Sequence, residues 1–149
     1  MRRLVIGALC IVLTGHASGQ EAITVNKGSW ETTLSMVPEL TMFGVRQDID
    51  PEFEFTTECW ASEEDTRLDV DTIGIDNCDV LDSRGSDNHL SFDLSCKMDD
   101  IELVGDALIV VAPDRNSLQG SMIIEGEAES VSIRMIGLFS GHKTGACTG

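Results

Sequence analysis

The chain has 149 residues, of which 26 are Asp or Glu and 10 are Lys or Arg, for a formal net charge of −16. An excess of carboxylates repels polyphosphates and anionic lipid, which argues against a nucleic-acid partner and against electrostatic docking on a membrane, since both need clustered cations. With 42% apolar and 24% charged residues and no Tyr, the composition is that of an ordinary globular domain, and the length fits one.

Met1, Arg2 and Arg3 give a basic start, residues 4–13 an apolar run, and Ala17, Ser18 and Gly19 a small-residue cleavage site. This order predicts an export signal over residues 1–19 and a single β domain over residues 20–149. The apolar run is too short for a membrane span, because ten residues at 1.5 Å each cover about half of a ~30 Å hydrocarbon core. Cys10 lies inside that run and would leave with it.

Period-two alternation then dominates, the signature of half-buried antiparallel strands. Trp30, Thr32, Leu34 and Met36 fall on one face of a first strand, with Glu31, Thr33 and Ser35 on the other. Residues 37–51 read as irregular, broken by Pro38, Gly44 and Pro51. In the next strand the alternation predicts Phe53, Phe55 and Cys59 inward and Glu52, Glu54 and Glu58 outward. A short helix is expected over residues 62–68, with Ser62 capping the amide of Asp65 and Glu63, Glu64 and Asp65 at the positive end of the helix dipole.

Cys78 opens a segment that turns through Ser83, Arg84, Gly85, Ser86, Asp87 and Asn88 into an alternating strand carrying Leu90, Phe92, Leu94, Cys96 and Met98. A hairpin turning about Asp87 sets Cys78 opposite Cys96 and Val80 opposite Leu94, within disulfide reach. Cys59 is then left to pair with Cys147. Chain entropy gives about 3 kcal/mol for the shorter loop and more than about 4 kcal/mol for the longer one. A zinc site is disfavoured by the long gaps between the cysteines and by the absence of a Cys-x-x-Cys pair.

Three longer strands are expected near residues 101–112, 118–126 and 130–140, with turns at Pro113–Asn116 and Glu125–Ala128. Adjacent apolar residues such as Leu108 and Ile109, or Leu138 and Phe139, cover both faces, and Gly105, Gly120 and Gly137 mark bends. The predicted fold is all-β: a single curved antiparallel sheet or half-barrel meander of about 6–8 strands with one short helix.

The order of these motifs resembles a known family. Gly28-Ser29-Trp30-Glu31-Thr32-Thr33, the methionine-bearing segment after it, Thr57-Glu58-Cys59 with its acidic helix, the hairpin of Cys78 and Cys96, and the ending Ser140-Gly141-His142-Lys143-Thr144-Gly145-Ala146-Cys147 are similar to domain of unknown function 3617. That family comprises small exported proteins of Gram-negative bacteria. The resemblance implies a periplasmic or secreted β domain and brings no activity with it. The family's methionine-, proline- and glycine-rich segment is reduced here to Met36, Pro38, Met42 and Gly44, which weighs against a soft-metal role for that segment.

No constellation of catalytic residues stands out. Asp48 with Asp50, and Asp69 with Asp71, do not continue as a calcium loop. Met36, Met42, Met98, Met122 and Met135 read as packing residues rather than thioether ligands. No Gly-x-Ser-x-Gly elbow is present, and His89 and His142 read as surface histidines. No catalytic residue, cofactor or metal is therefore predicted. The sequence points to a non-enzymatic binding or carrier module holding an apolar small molecule against a face made of Trp30, Leu34, Met42, Phe43, Phe53, Phe55, Met122 and Met135. The alternative is a structural or interaction module that meets an envelope protein. Digestion with trypsin without reduction should link the peptides bearing Cys78 and Cys96; a peptide joining Cys78 to Cys59 would overturn the pairing.

Overall fold

The computed structural model describes residues 22–69 and 77–148. The expected export signal over residues 1–19 lies outside the described residues. In chain order the elements are β1 (Ala22–Thr24), β2 (Gly28–Met42), β3 (Val45–Gln47), β4 (Glu52–Trp60), α1 (Glu63–Thr66), β5 (Arg67–Asp69), β6 (Cys78–Gly85), β7 (His89–Met98), β8 (Ile101–Val111), β9 (Ser117–Ala128) and β10 (Val131–Gly145).

Eight strands form one antiparallel sheet in the order β3-β2-β10-β9-β8-β7-β6, with β4 also paired to β2, and the sheet is not closed into a barrel. Strands β6 to β10 are a meander of adjacent hairpins. Strand β2 then lies against β10, so the two ends of the domain meet in its longest ladder, from Val131 opposite Met42 to Lys143 opposite Trp30. Beyond β2, β4 covers the stretch from Gly28 to Met36 and β3 the stretch from Leu40 to Met42.

Residues 37–51, expected to be irregular, are largely strand. Met42 pairs with Val45 across Phe43 and Gly44, both at positive φ, the two-residue geometry that matches the twist of flanking strands. Pro38 falls between the last β4 pair and the first β3 pair, on a locally unpaired edge, where a residue without an N–H is tolerated. The breakers were present, but pairing with β10 carried the strand past them. Similarly, the turn expected at Glu125–Ala128 sits at Glu129 and Ser130, and Gly126 lies inside β9.

Opposed residues in a ladder share a face, so the register sorts every side chain. One face, here the core face, carries Trp30, Leu90, Phe92, Leu94, Cys96, Leu103, Ala107, Ile109, Val111, Leu118 and Ile124, all buried. The separate pair β1–β5 packs on it and adds Ile23, Val25 and Leu68 to the same cluster. Sequence reading missed this two-stranded cover, whose strands are only three residues each. Trp30 is fully buried, donates its indole N–H to the Asn26 carbonyl at 2.9 Å, and stacks on Trp60 with ring centroids 4.8 Å apart. Trp60, which directly follows Cys59, thus serves the core through its partner ring.

Both disulfides follow the expected pairing, Cys59 with Cys147 and Cys78 with Cys96. Cys78 and Cys96 are directly opposed in the β6–β7 ladder, as are Val80 and Leu94, before a bulge at Leu81 shifts the register. Helix α1 is shorter than the expected 62–68 because Arg67 has already turned extended to enter β5. Its capping box is present: Ser62 Oγ accepts from the Asp65 amide, and the Asp65 carboxylate accepts from the Ser62 and Ala61 amides. These hydrogen bonds, those from Ser62 first, hold the Asp65 carboxyl below its ordinary range.

Strands β8 and β9 come unusually close on the core face. A Cβ added at Gly105 would collide with the Ile123 carbonyl oxygen, and one at Gly126 with that of Glu102. Glycine at these two places lets the backbones approach where the sheet bends. Gly105→Ala should therefore cost more than about 2 kcal/mol in urea denaturation. Gly145→Ala, which would meet nothing within 4 Å, should stay within about 0.5 kcal/mol.

Candidate functional site

The residues expected to form one apolar ligand face do not share a face. Trp30, Leu34, Met42, Met122 and Met135 are on the core face. Phe53 and Phe55 are on the opposite, outer face, 65% and 76% exposed, and Phe43 is in the β2–β3 turn, 79% exposed. The inward assignment of Phe53, Phe55 and Cys59 is thus corrected. Leu34 opposes Glu54, Trp30 opposes Glu58 and Met36 opposes Glu52, so the glutamates of β4 share the core face. The alternation is as expected and its side is reversed, because the register with β2 sets the direction. As an outermost strand, β4 can leave its aromatics in water and carry inward-pointing charge, which also discourages edge-to-edge pairing.

The outer face carries further exposed apolar residues away from β4, with Asp106 opposite Ile123 among them. One cross-strand row runs Phe53, Ser35, Leu138, Ser121, Leu108, and the adjacent row runs Val37, Ile136, Ile123. Leu138 is 51% exposed, and Leu108, Val110, Val104 and Ile123 are also exposed, while Val37 and Ile136 are half-buried. Charged residues border these rows: Arg134 sits between Glu39 and Glu125, and Arg84 between Asp82 and Asp93. Exposed pairs of this kind contribute at most about 1 kcal/mol each, so they orient a surface more than they hold the fold.

The core face has two zones. The buried residues and the β1–β5 cover seal one of them. Beyond the cover, Leu34, Met36, Leu40, Met122, Ile133, Met135 and Phe139 are only half-buried. Gly137 lies between Met36 on β2 and Met122 on β9, whose side chains close over it.

A cavity of about 310 Å³ lies at the other end, lined by Ala22, Ile23, Thr24, Gly85, Ser86, Asp87 and Arg115. Its lining is mainly polar, unlike the apolar face expected for a carrier. Arg115 donates to the Thr24 carbonyl at 2.6 Å and to the Asp87 carbonyl at 3.1 Å, so its guanidinium ties the β8–β9 turn to β1 and to the β6–β7 hairpin. His89 Nδ1 is 2.6 Å from Ser86 Oγ across that same hairpin turn, which also closes through the Ser86 amide and the His89 carbonyl. His142 Nε2 lies 3.5 Å from Glu31 across β10 and β2. Among the described residues, no group of three or more His, Cys, Asp or Glu converges to hold a metal ion, and no helix is long and apolar enough to cross a membrane.

The architecture defines an all-β, disulfide-stitched domain with a two-stranded cover. Two intramolecular disulfides suggest an oxidising, extracytoplasmic setting. Comparison of the chain with family models, with curated proteins and with solved structures yields no match.

The two faces of the sheet should respond differently to truncation. Phe55→Ser removes an exposed ring and should change stability by no more than about 0.5 kcal/mol, whereas Trp30→Ala should cost about 3–5 kcal/mol. Urea denaturation of the two variants checks this.

Proposed function

We propose that the protein is a non-enzymatic, exported interaction module that binds another protein of the cell envelope through the outer face of its sheet. The supporting observation is the set of large apolar side chains, Phe53, Phe55, Leu138, Leu108 and Ile123, presented to solvent from four strands of one face. Apolar surface of that extent, rimmed by charge, is the character of a protein-binding patch. The interspersed Thr33, Ser35 and Ser121 keep the patch wettable when no partner is bound. A periplasmic or extracellular location agrees with the basic and apolar start of the sequence and with the disulfides. Membership of the domain of unknown function 3617 family is part of the same reading and rests on the motifs quoted above.

A second reading, the carrier, is favoured by the half-buried zone of the core face, where Leu34, Leu40, Ile133 and Phe139 continue the sealed core outward. An apolar molecule would lie along these residues. The two readings separate in one measurement. Protein purified gently from its own envelope is analysed by native mass spectrometry, beside the outer-face variants Phe53→Ser and Leu138→Ser. The interaction reading expects a co-purifying polypeptide that both variants lose. A bound lipid that survives in both variants would replace it with the carrier reading, and a polypeptide retained by both variants would overturn the outer face as the docking surface.

A further inference from the structure

The core face carries a group of sulfur atoms whose donor chemistry neither reading uses. The chain has five methionines among the described residues; none is fully buried, and Met122 and Met135 pack against the rim of the buried core. Three of them, Met36, Met122 and Met135, share the half-covered part of the core face, the first two against Gly137. The register puts Met36 and Met122 on either side of Gly137, while Met135 is two residues earlier on the same strand and the same face. Met36 and Met122 lean inward: the Sδ of Met36 and the Cε of Met122 lie 3.1 and 3.3 Å from the point a Gly137 Cβ would occupy. With no side chain at 137, Met36 and Met122 can both reach over the β10 backbone from the strands on either side.

From this convergence, we infer that Met36, Met122 and Met135 form a binding site for a soft monovalent cation, of which Cu(I) is the biological example. Thioether sulfur is a soft, neutral donor that selects Cu(I) over hard or borderline divalent ions. The four described cysteines are locked in disulfides, so thioethers are the soft donors this domain retains. Three rotatable bonds let each methionine close on an ion without moving the sheet. All three side chains are half-buried, which leaves the site reachable from solvent. Glu52 is directly opposed to Met36, and Glu54 to Leu34, on the same face, so two carboxylates border the site and raise the local concentration of cations. The site is on the opposite face from the proposed docking surface and does not depend on it.

The test uses the disulfide-intact mature protein with [13C-methyl]methionine, titrated with Ag(I) in chloride-free buffer and, anaerobically, with Cu(I) in competition with bicinchoninate. One equivalent of either ion should shift the methyl resonances of Met36, Met122 and Met135 and leave those of Met42 and Met98 in place, and Zn(II) should shift none of them. The volume-conserving variants Met36→Leu and Met122→Leu should each weaken Ag(I) binding by roughly tenfold or more, equivalent to about 1.4 kcal/mol. Saturation without movement of the three methyls, or unchanged affinity in both variants, would overturn the site. The wild-type spectra decide the matter even where a variant fails to fold.

Discussion

The pairing of β2 with β10 is the constraint on which the rest of the fold depends. It joins the two ends of the domain over fourteen opposed residue pairs and sets which side chains of β2 face the core. Because strand side chains alternate, a shift of one residue in this ladder would move Trp30, Leu34 and Met36 to the outer face together. Trp30 anchors the core side of β2: its ring is fully buried, bonded to the Asn26 carbonyl and stacked on Trp60 of β4. From β2 the same parity passes to β4 on one side and through β10, β9, β8 and β7 on the other.

That parity also produces the domain's two unlike surfaces. On the core face, glycine recurs where strands bend toward one another, and large apolar residues fill the sealed zone beneath β1 and β5. On the outer face, apolar residues stand among serines and threonines with charges at their margins. The edges are treated differently again: β4 carries Glu52, Glu54 and Glu58, and β6 is broken by a bulge and lined with Asp79, Asp82 and Arg84. Both devices keep an open sheet from adding strands of another copy.

Much of this was legible in the sequence. Alternation found most of the strands, and the spacing of Cys78 and Cys96 about a turn fixed the hairpin and, by elimination, the second disulfide. Ser62 and Asp65 announced a capped helix. The side chosen for Phe53 and Phe55 was not legible, because alternation gives a period and only a partner strand gives a direction. Pro38 and Gly44 marked breaks that the chain absorbs in an unpaired gap and a two-residue turn. The grouping around Gly137 was hidden for a simpler reason. Met36 and Met122 are brought together only by the registers of two separate ladders, and each alone looks like a packing residue. The β1–β5 cover escaped notice because three-residue strands carry too little pattern.

The connectivity has a temporal consequence. Strand β2 is made early, yet its longest partner is the final strand, and Cys59 waits for Cys147 across a sequence separation of 88. Ladders between such remote segments pay loop-closure entropy before contact energy rewards them, and they form slowly. A polypeptide emerging from its amino end can close β2 on β4 and zip the hairpins of β6 to β9 as they appear, but the two parts are joined only once β10 is out. The two halves therefore wait for each other, and the seam between them closes last.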